Sequence, residues 1–159
     1  MTKKKFCDCI YIYKKDLYII ASAILKNSAD AEDAVSNAIL KGYENLDQLR
    51  DPRKFKPWML MITKNEALKL KKKRFELPGN ENVEALLQPT RDQYDELWDV
   101  ISRMKEEYRL VIVLFYYENL SIRDISGVLN IPVGTVKSRL NRGKEELKQA
   151  LKYRWGEVA

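Results

Sequence analysis

The sequence predicts an all-α protein made of two small helical domains joined by a flexible linker. Apolar residues recur about every 3.6 positions in both halves of the 159-residue chain, which is the period of an amphipathic helix. A polar stretch with prolines and little periodicity separates the halves. The continuously apolar Leu110–Tyr117 would suit a buried strand by periodicity alone, but its neighbours are helical and no pairing strand is evident, so we expect a buried helix. The predicted domains are residues 1–75 and 92–159, with the linker at 76–91.

Three helices are expected in the N-terminal domain. The apolar-rich segment Ile10–Lys26 forms the first. The second runs from Asp30 to about Asn45, with Ser28 or Asp30 as its cap and acidic residues in its first turn, where the helix dipole favours them. Asp47–Pro57 contains two prolines and several charges and is expected to be a loop. The third helix is expected from Trp58 to Arg74 and ends in a cluster of cations.

Residues 120–140 are the most informative part of the C-terminal domain and predict two helices joined by a tight turn. Ser121 can cap the first helix, with Asp124 as the acidic partner of a start that resembles a capping box. Asn130 suits the left-handed position that ends a helix, and Pro132 suits the first turn of the next. This is the layout of a helix-turn-helix, whose second helix enters the major groove of DNA.

The second helix of this motif has two distinct faces. Val136 and Leu140 stand one turn apart and are expected to face inward. Cationic, hydroxyl and amide side chains share another face, from which they could reach base edges and phosphates. These side chains are Lys137, Ser138, Asn141 and Arg142. The sequence therefore favours binding of double-stranded DNA, and the alternative is an ordinary helical hairpin with a solvated basic face.

The charge balance agrees with a polyanionic partner. The chain has 29 Lys and Arg against 23 Asp and Glu, a net charge of +6 and a pI of about 9.2. It contains no histidine, so Ser-His-Asp triads, Cys-His pairs and histidine-based zinc sites are excluded. We expect no catalytic residues, no cofactor and no small-molecule substrate.

The two cysteines, Cys7 and Cys9, lie close together near the N-terminus. Two thiolates do not complete a zinc site and no other soft ligand is available, so no metal site is predicted. Free, reduced thiols on an N-terminal helix are favoured, with a disulfide or a shared intermolecular metal as alternatives. The low cysteine content is typical of a cytosolic protein.

The N-terminal region also bears on location. The apolar stretch Leu17–Leu25 is too short to span a bilayer. Charged residues at Lys14, Lys15 and Asp16 interrupt the apolar path that a signal peptide would need. A cytoplasmic location is therefore expected.

Over about residues 8–154 the chain resembles the sigma-70 family of bacterial RNA polymerase sigma factors, in the compact extracytoplasmic-function (ECF) group. The strings that carry the resemblance in the N-terminal block are Asp30–Val35, Ile39–Tyr43, Trp58–Ile62 and Asn65. Those in the C-terminal block are Glu106–Arg109, Tyr117–Ser121 and, as the most specific, Ile131–Leu140.

The resemblance implies a function for each domain. The first would be a sigma region 2-like domain that binds the clamp of core RNA polymerase and opens the −10 element of promoter DNA. The second would be a sigma region 4-like domain that reads the −35 element as duplex and also contacts the polymerase flap. The alternative is a stand-alone helix-turn-helix repressor or activator, whose N-terminal block dimerises or senses a signal.

The resemblance also implies residues for each contact. Core polymerase would be met by Glu32, Asp33, Asn37 and Lys41. The −10 DNA would be met by Arg53, Lys54, Phe55, Lys56, Lys64 and Asn65. The −35 DNA would be met by Thr135, Lys137, Ser138, Arg139, Asn141 and Arg142.

Some of these roles rest on side-chain chemistry. Arg142 and Lys137 can contact guanine or phosphates and Asn141 can pair with adenine, whereas Arg139 would contact the DNA backbone or form an ion pair. Phe55, expected in a loop, is the preferred candidate for stacking on a base, and Trp58 is expected in the core. Lys71–Arg74 supply further positive charge around the third helix.

Three positions depart from the family's pattern. Ser36–Ile39 stands where Gln-Glu or Gln-Asp followed by Thr-Phe is frequent, and Lys69 stands where an aspartate is frequent. Gly143 replaces a common alanine and is expected to weaken its helix by about 0.5–1 kcal/mol. Compact members of the family are commonly held inactive by an anti-sigma factor, often one anchored in the membrane. Such a partner, which could keep the protein at the membrane, is expected here.

Overall fold

The computed structural model describes residues 1–76 and 96–154, and it confirms an all-α fold over these ranges, which contain helices, turns and loops but no strand. The chain divides into two compact units, Met1–Pro89 and Thr90–Ala159. Apart from Glu76, the expected linker at 76–91 lies outside the described residues, and so does the expected start of the second domain at residue 92. No helix in the described ranges is long and apolar enough to cross a membrane.

Within residues 1–76, the N-terminal unit contains three long helices and two short 3₁₀ turns. Helix α1 spans Lys3–Ile24, α2 spans Ser28–Glu44 and α3 spans Phe55–Phe75. The 3₁₀ turns at Leu46–Gln48 and Pro52–Lys54 connect α2 to α3. The three helices of the sequence prediction are therefore confirmed, although α1 and α3 begin earlier than expected.

The C-terminal unit is built of shorter elements and one long helix. Helix α4 spans Glu96–Ser102 and α5 spans Glu106–Ile112, and a π-helical turn at Val113–Tyr117 continues α5. Helices α6, Ile122–Leu129, and α7, Val133–Arg154, follow. The apolar segment predicted as a buried helix is thus helical, and its first five residues, 110–114, are buried.

Aromatic packing explains why α3 begins at Phe55 rather than at Trp58. The Phe55 ring lies 5.6 Å from the Phe6 ring and 6.0 Å from the Tyr13 ring, both on α1. These contacts bury Phe55 to 2% exposure and hold the start of α3 against α1. Pro57 is tolerated because it lies in the first turn, where its missing N–H has no intrahelical partner. The prediction of a loop through Pro57 is therefore wrong.

The cap of α2 also differs from the prediction. The side chain of Asn27, not of Ser28 or Asp30, accepts hydrogen bonds from the N–H groups of Ala29 and Asp30, at 2.8 and 3.2 Å. Asp30 is buried and its Oδ1 lies 2.7 Å from Nη2 of Arg74, at the end of α3. The Asp30 carboxylate thus forms an ion pair with Arg74 and does not cap α2.

The two ends of α6 agree with the sequence prediction. The Ser121 hydroxyl accepts a hydrogen bond from the N–H of Asp124 at 3.0 Å, which caps the helix. Asn130 adopts the left-handed conformation, with φ 54° and ψ 49°, and ends it. Both features depend on neighbours in sequence, and this is why the sequence revealed them.

Gly143 has a packing role that the sequence did not reveal. A Cβ at this position would lie 3.0 Å from Cγ1 and 3.2 Å from Cδ1 of Ile112. The missing side chain therefore lets α7 approach α5 closely. Glycine at this position therefore costs helix propensity but permits close packing between α7 and α5.

Candidate nucleic-acid interface

The turn before α7 fixes how this helix is presented. The Ser126 hydroxyl donates to the carbonyl of Ile131 at 2.5 Å, and the N–H of Ile131 donates to the carbonyl of Ser126 at 3.2 Å. The carbonyl of Pro132 accepts from the N–H of Val136 at 3.0 Å, so Pro132 lies just ahead of the helix. The turn between α6 and α7 is therefore short, and two hydrogen bonds between Ser126 and Ile131 hold it.

Burial separates the two faces of α7 as predicted. Val136 is 0% exposed and Leu140 is 3% exposed, and both lie in the core of the C-terminal unit. The side chains expected to meet DNA lie outside this core. The exposed ones are Lys137, Ser138, Asn141 and Arg142, whereas Thr135 and Arg139 are half-buried.

Two of the exposed side chains on α7 have local partners. The Ser138 hydroxyl donates to the carbonyl of Thr135 at 3.1 Å. Nε of Arg142 lies 3.4 Å from Oε1 of Glu146, one turn further along the helix. Exposed pairs at this spacing contribute only about 0.3–0.5 kcal/mol, so Arg142 can leave Glu146 for a stronger acceptor at little cost.

Arg139 is engaged within the protein. Its Nη2 lies 3.7 Å from Oε2 of Glu107, in the first turn of α5. A hydrogen bond from Lys105, together with the positive charges of Lys105 and Arg139, holds the pKa of Glu107 below its ordinary value, against the opposing effect of burial. Of the two roles open to Arg139 from the sequence, the structure shows the ion pair.

Three cations expected to meet the −10 DNA lie at the start of α3. The guanidinium of Arg53 pairs with Asp51 through two contacts of 3.2 Å, and a hydrogen bond from Arg53 is the main cause that lowers the pKa of Asp51. Lys54 is exposed. Lys56 is half-buried, with its ammonium 5.9 Å from the centroid of the Tyr13 ring.

Two other residues expected to meet the −10 DNA are buried. The Phe55 ring lies in the core, so it cannot stack on a base without leaving its contacts with α1. Lys64 is 8% exposed, and burial lowers the pKa of its ammonium. Burial therefore counts against stacking by Phe55, whereas a role of Lys64 at the −10 DNA stays a prediction. Asn65, by contrast, is exposed, and Trp58 is half-buried rather than fully in the core.

The residues expected to meet core polymerase lie on the outer side of α2. Glu32, Asp33 and Asn37 are exposed. Lys41 is also exposed, but its Nζ lies 3.3 Å from Oε1 of Glu66 on α3. Leu40, which lies within the string Ile39–Tyr43 but is not among the contacts expected from the sequence, is 58% exposed beside Lys41. A helical projection could have found it, because Leu40 falls outside the apolar stripe of α2.

The cysteines show no metal centre. Cys7 and Cys9 are free thiols on α1, the first exposed and the second half-buried. No group of three or more Cys, Asp or Glu side chains within residues 1–76 and 96–154 is placed to hold a metal ion.

Comparisons with known proteins agree with this arrangement. The family model for sigma-70 region 2 matches residues 10–75, and the model for sigma-70 region 4 matches residues 94–147. The ECF RNA polymerase sigma factor SigW of Bacillus subtilis is 32% identical, over 92% of this chain and 89% of the relative. SigV of the same organism is 29% identical, over 89% and 87%.

Solved structures show the same fold. The sigma factor RpoE of Bartonella quintana, in complex with the anti-sigma factor NepR, matches with a TM-score of 0.77 at 21% identity, over 94% of this chain and 98% of that chain. CnrH in complex with the cytosolic domain of CnrY matches with a TM-score of 0.70 at 20% identity, over 96% and 90%. The comparisons give no support to a stand-alone repressor or activator. The chain belongs to the sigma-70 family, among the ECF RNA polymerase sigma factors.

Proposed function

We propose that this chain is a promoter-specificity subunit that acts in the cytoplasm on core RNA polymerase and has no catalytic site of its own. The observation that carries the proposal is the exposed basic and amide face of α7, in a chain that holds sigma regions 2 and 4 in order. Sigma factors are transcription initiation factors, and each region supplies one contact in that process.

The −35 element is read by α7 in the major groove. Arg142 has a two-pronged donor that fits guanine O6 and N7, and Asn141 fits adenine N6 and N7. Lys137 adds a cation for guanine or phosphate, and Ser138 adapts to either kind of acceptor. Thr135 lies in the first turn, where the helix dipole favours a phosphate. Arg139 is assigned to its Glu107 contact rather than to DNA.

The −10 element is opened by the N-terminal unit. Asn65 offers an exposed amide to a base at the upstream edge of the opened region. Arg53, Lys54 and Lys56 supply positive charge for the separated strands at the start of α3. Trp58 is half-buried beside them and replaces Phe55 as the aromatic candidate for stacking.

Core polymerase is met by the outer side of α2. Glu32, Asp33 and Asn37 offer charged and amide groups to the clamp, and Leu40 offers an exposed apolar side chain. An exposed apolar residue ringed by polar ones is typical of the centre of a docking surface. The second domain would contact the polymerase flap.

Transcription with purified core enzyme tests the proposal. The wild-type protein should direct initiation from its host's own promoters, and Asn65→Ala should lower the permanganate reactivity of unpaired thymines near the −10 element. The −35 footprint of the same variant should stay intact, because Asn65 lies in the other unit. Tight binding of the free protein to a palindromic duplex, without core enzyme, would contradict the proposal.

An anti-sigma factor is the second proposed partner. The solved relatives RpoE and CnrH are in complex with NepR and with the cytosolic domain of CnrY. An inhibitor that covers the outer side of α2 would bury the surface that core polymerase uses, so the two should compete. Pull-down from host membranes followed by competition with purified core tests this. A partner that binds at the same time as core would contradict it.

A further inference from the structure

Two ion pairs join α2 to α3 near opposite ends of their contact. Asp30 at the start of α2 meets Arg74 at the end of α3, at 2.7 Å. Lys41 near the end of α2 meets Glu66 in the middle of α3, at 3.3 Å. The two helices therefore run antiparallel, and the polarity of the pairs is reversed: α2 supplies the acid at one end and the base at the other.

The positions of the two pairs favour a single axial register. A slip of one helical turn is about 5.4 Å, which separates both pairs at once. The carboxylates are the less exposed partners, with the Asp30 side chain 7% exposed and the Glu66 side chain 10% exposed. Lys41 is the one cation on α2, so in a slipped register Glu66 would be left without compensation for its desolvation, and that register is disfavoured.

The register matters because the two helices carry different surfaces. On α2 the outer side carries the proposed polymerase contacts. On α3 Asn65 begins an exposed face that continues at helical spacing. Its further members are Lys69, Lys72 and Lys73. Glu66 directly follows Asn65 in sequence, so the Lys41–Glu66 pair holds α3 against α2 next to the Asn65 amide.

We propose that the Asp30–Arg74 and Lys41–Glu66 pairs form a register lock, which holds the Asn65 face of α3 at a fixed position relative to the polymerase-docking side of α2. Glu66 and Asp30 are positioning residues in this inference, and Lys41 acts through Glu66 rather than through the clamp. The inference rests on the proposed function, because it names what places the DNA-opening face once polymerase is bound.

Removal of one charge tests the lock. Glu66→Gln keeps the side-chain volume and abolishes the ion pair, and Asp8→Asn, the same carboxylate-to-amide change at an exposed position on α1, is the matched control. With holoenzyme, Glu66→Gln should lower the open-complex yield roughly fivefold, which is the lower end of the effects typical of two coupled sites. Its affinity for core should stay at the wild-type value. Asp8→Asn should change neither quantity.

Charge reversal separates positioning from direct contact. Lys41→Glu and Glu66→Lys should each impair promoter opening, and the combined Lys41→Glu/Glu66→Lys protein should regain most of it with the pair inverted. If Lys41→Glu loses affinity for core and the combined protein does not recover it, Lys41 touches polymerase and the lock is overturned.

Thermal melts check that every variant is folded. Promoter opening is then measured well below the lowest melting temperature. A purely structural pair would lower the melting temperature and leave opening unchanged, which would also overturn the lock. Failure of the proposed function is distinguishable, since the wild-type protein itself would then open no promoter with core enzyme.

Discussion

Arg139 of the recognition helix lies 3.7 Å from Glu107, a carboxylate in the first turn of α5. Both side chains are about one-third exposed, at 30% and 33%, so the contact is only partly screened by water. The pair joins α7, the helix proposed to read DNA, to α5, whose residues Leu110 and Ile112 are buried. The Arg139–Glu107 contact thus links α7 to α5 within the C-terminal unit.

The first prediction follows from this assignment. Arg139→Gln should leave the salt dependence of holoenzyme binding to a closed promoter complex near the wild-type value, because no phosphate contact is lost. A residue that neutralises one phosphate contributes about 0.9 to the slope of log K against log salt. A fall of that size for Arg139→Gln would show that Arg139 contacts the DNA backbone.

The melting temperature provides the matching pH test. The pKa of Glu107 is lowered in the folded protein, mainly by Lys105 and to a smaller extent by Arg139. The carboxylate therefore contributes stability above its ordinary pKa of 4.5, and this contribution, with the share due to Arg139, is lost as the pH falls through the folded value. The difference in melting temperature between wild type and Arg139→Gln should therefore shrink in acid. A difference that stays constant with pH would contradict the ion pair.

The second prediction concerns Arg142. Arg142→Ala should cost roughly 1–3 kcal/mol at one or two base pairs of the −35 element if its contact to guanine is bidentate. The helical pair with Glu146 is exposed and does not hold the guanidinium strongly. Footprinting of holoenzyme on a set of −35 variants measures the change, with Lys148→Ala, exposed on the same helix, as the control. A uniform loss across all sequences would indicate a phosphate contact instead.

Local features of the fold could be predicted from the sequence. Ser121 caps α6 and Asn130 ends it in the left-handed conformation, because both depend on hydrogen bonds and backbone preferences within a few residues. The inward positions of Val136 and Leu140 follow from helical periodicity alone.

Features set by distant contacts could not be predicted in the same way. The sequence predicts a loop at Phe55 because two prolines flank it, whereas rings on α1 bury it. Arg139 pairs with Glu107, 32 residues away in sequence, and Lys41 pairs with Glu66, 25 residues away. No spacing rule reveals such partners. The cationic faces were predictable, but which of their members remain available for DNA was not.

The third prediction compares two helical glycines. Gly127→Ala on α6 should stabilise the protein by about 0.5–1 kcal/mol, because its Cβ meets nothing within 4 Å and alanine favours the helix. Gly143→Ala should give clearly less, because its Cβ would lie 3.0 Å from Ile112 Cγ1 and force that side chain to move. Thermal melts of both variants measure the difference. An equal gain at the two sites would mean that Ile112 yields at no cost.

The last prediction concerns Lys64, which is buried on α3 although its neighbour Asn65 is exposed. Burial lowers the pKa of its ammonium from the ordinary 10.5, so between the folded value and 10.5 the unfolded chain holds the proton more tightly. Stability should therefore rise with pH through that window, and below it the desolvation cost is constant.

Lys64→Met removes that cost. It should raise the free energy of unfolding at neutral pH, and the advantage over wild type should shrink toward pH 10.5. Lys69→Met, at an exposed lysine on the same helix, should change stability little. Chemical denaturation at neutral and alkaline pH measures both variants. We expect open-complex formation by Lys64→Met to match wild type, because little of this side chain is exposed to the separated strands. A loss of opening would place Lys64 among the −10 contacts.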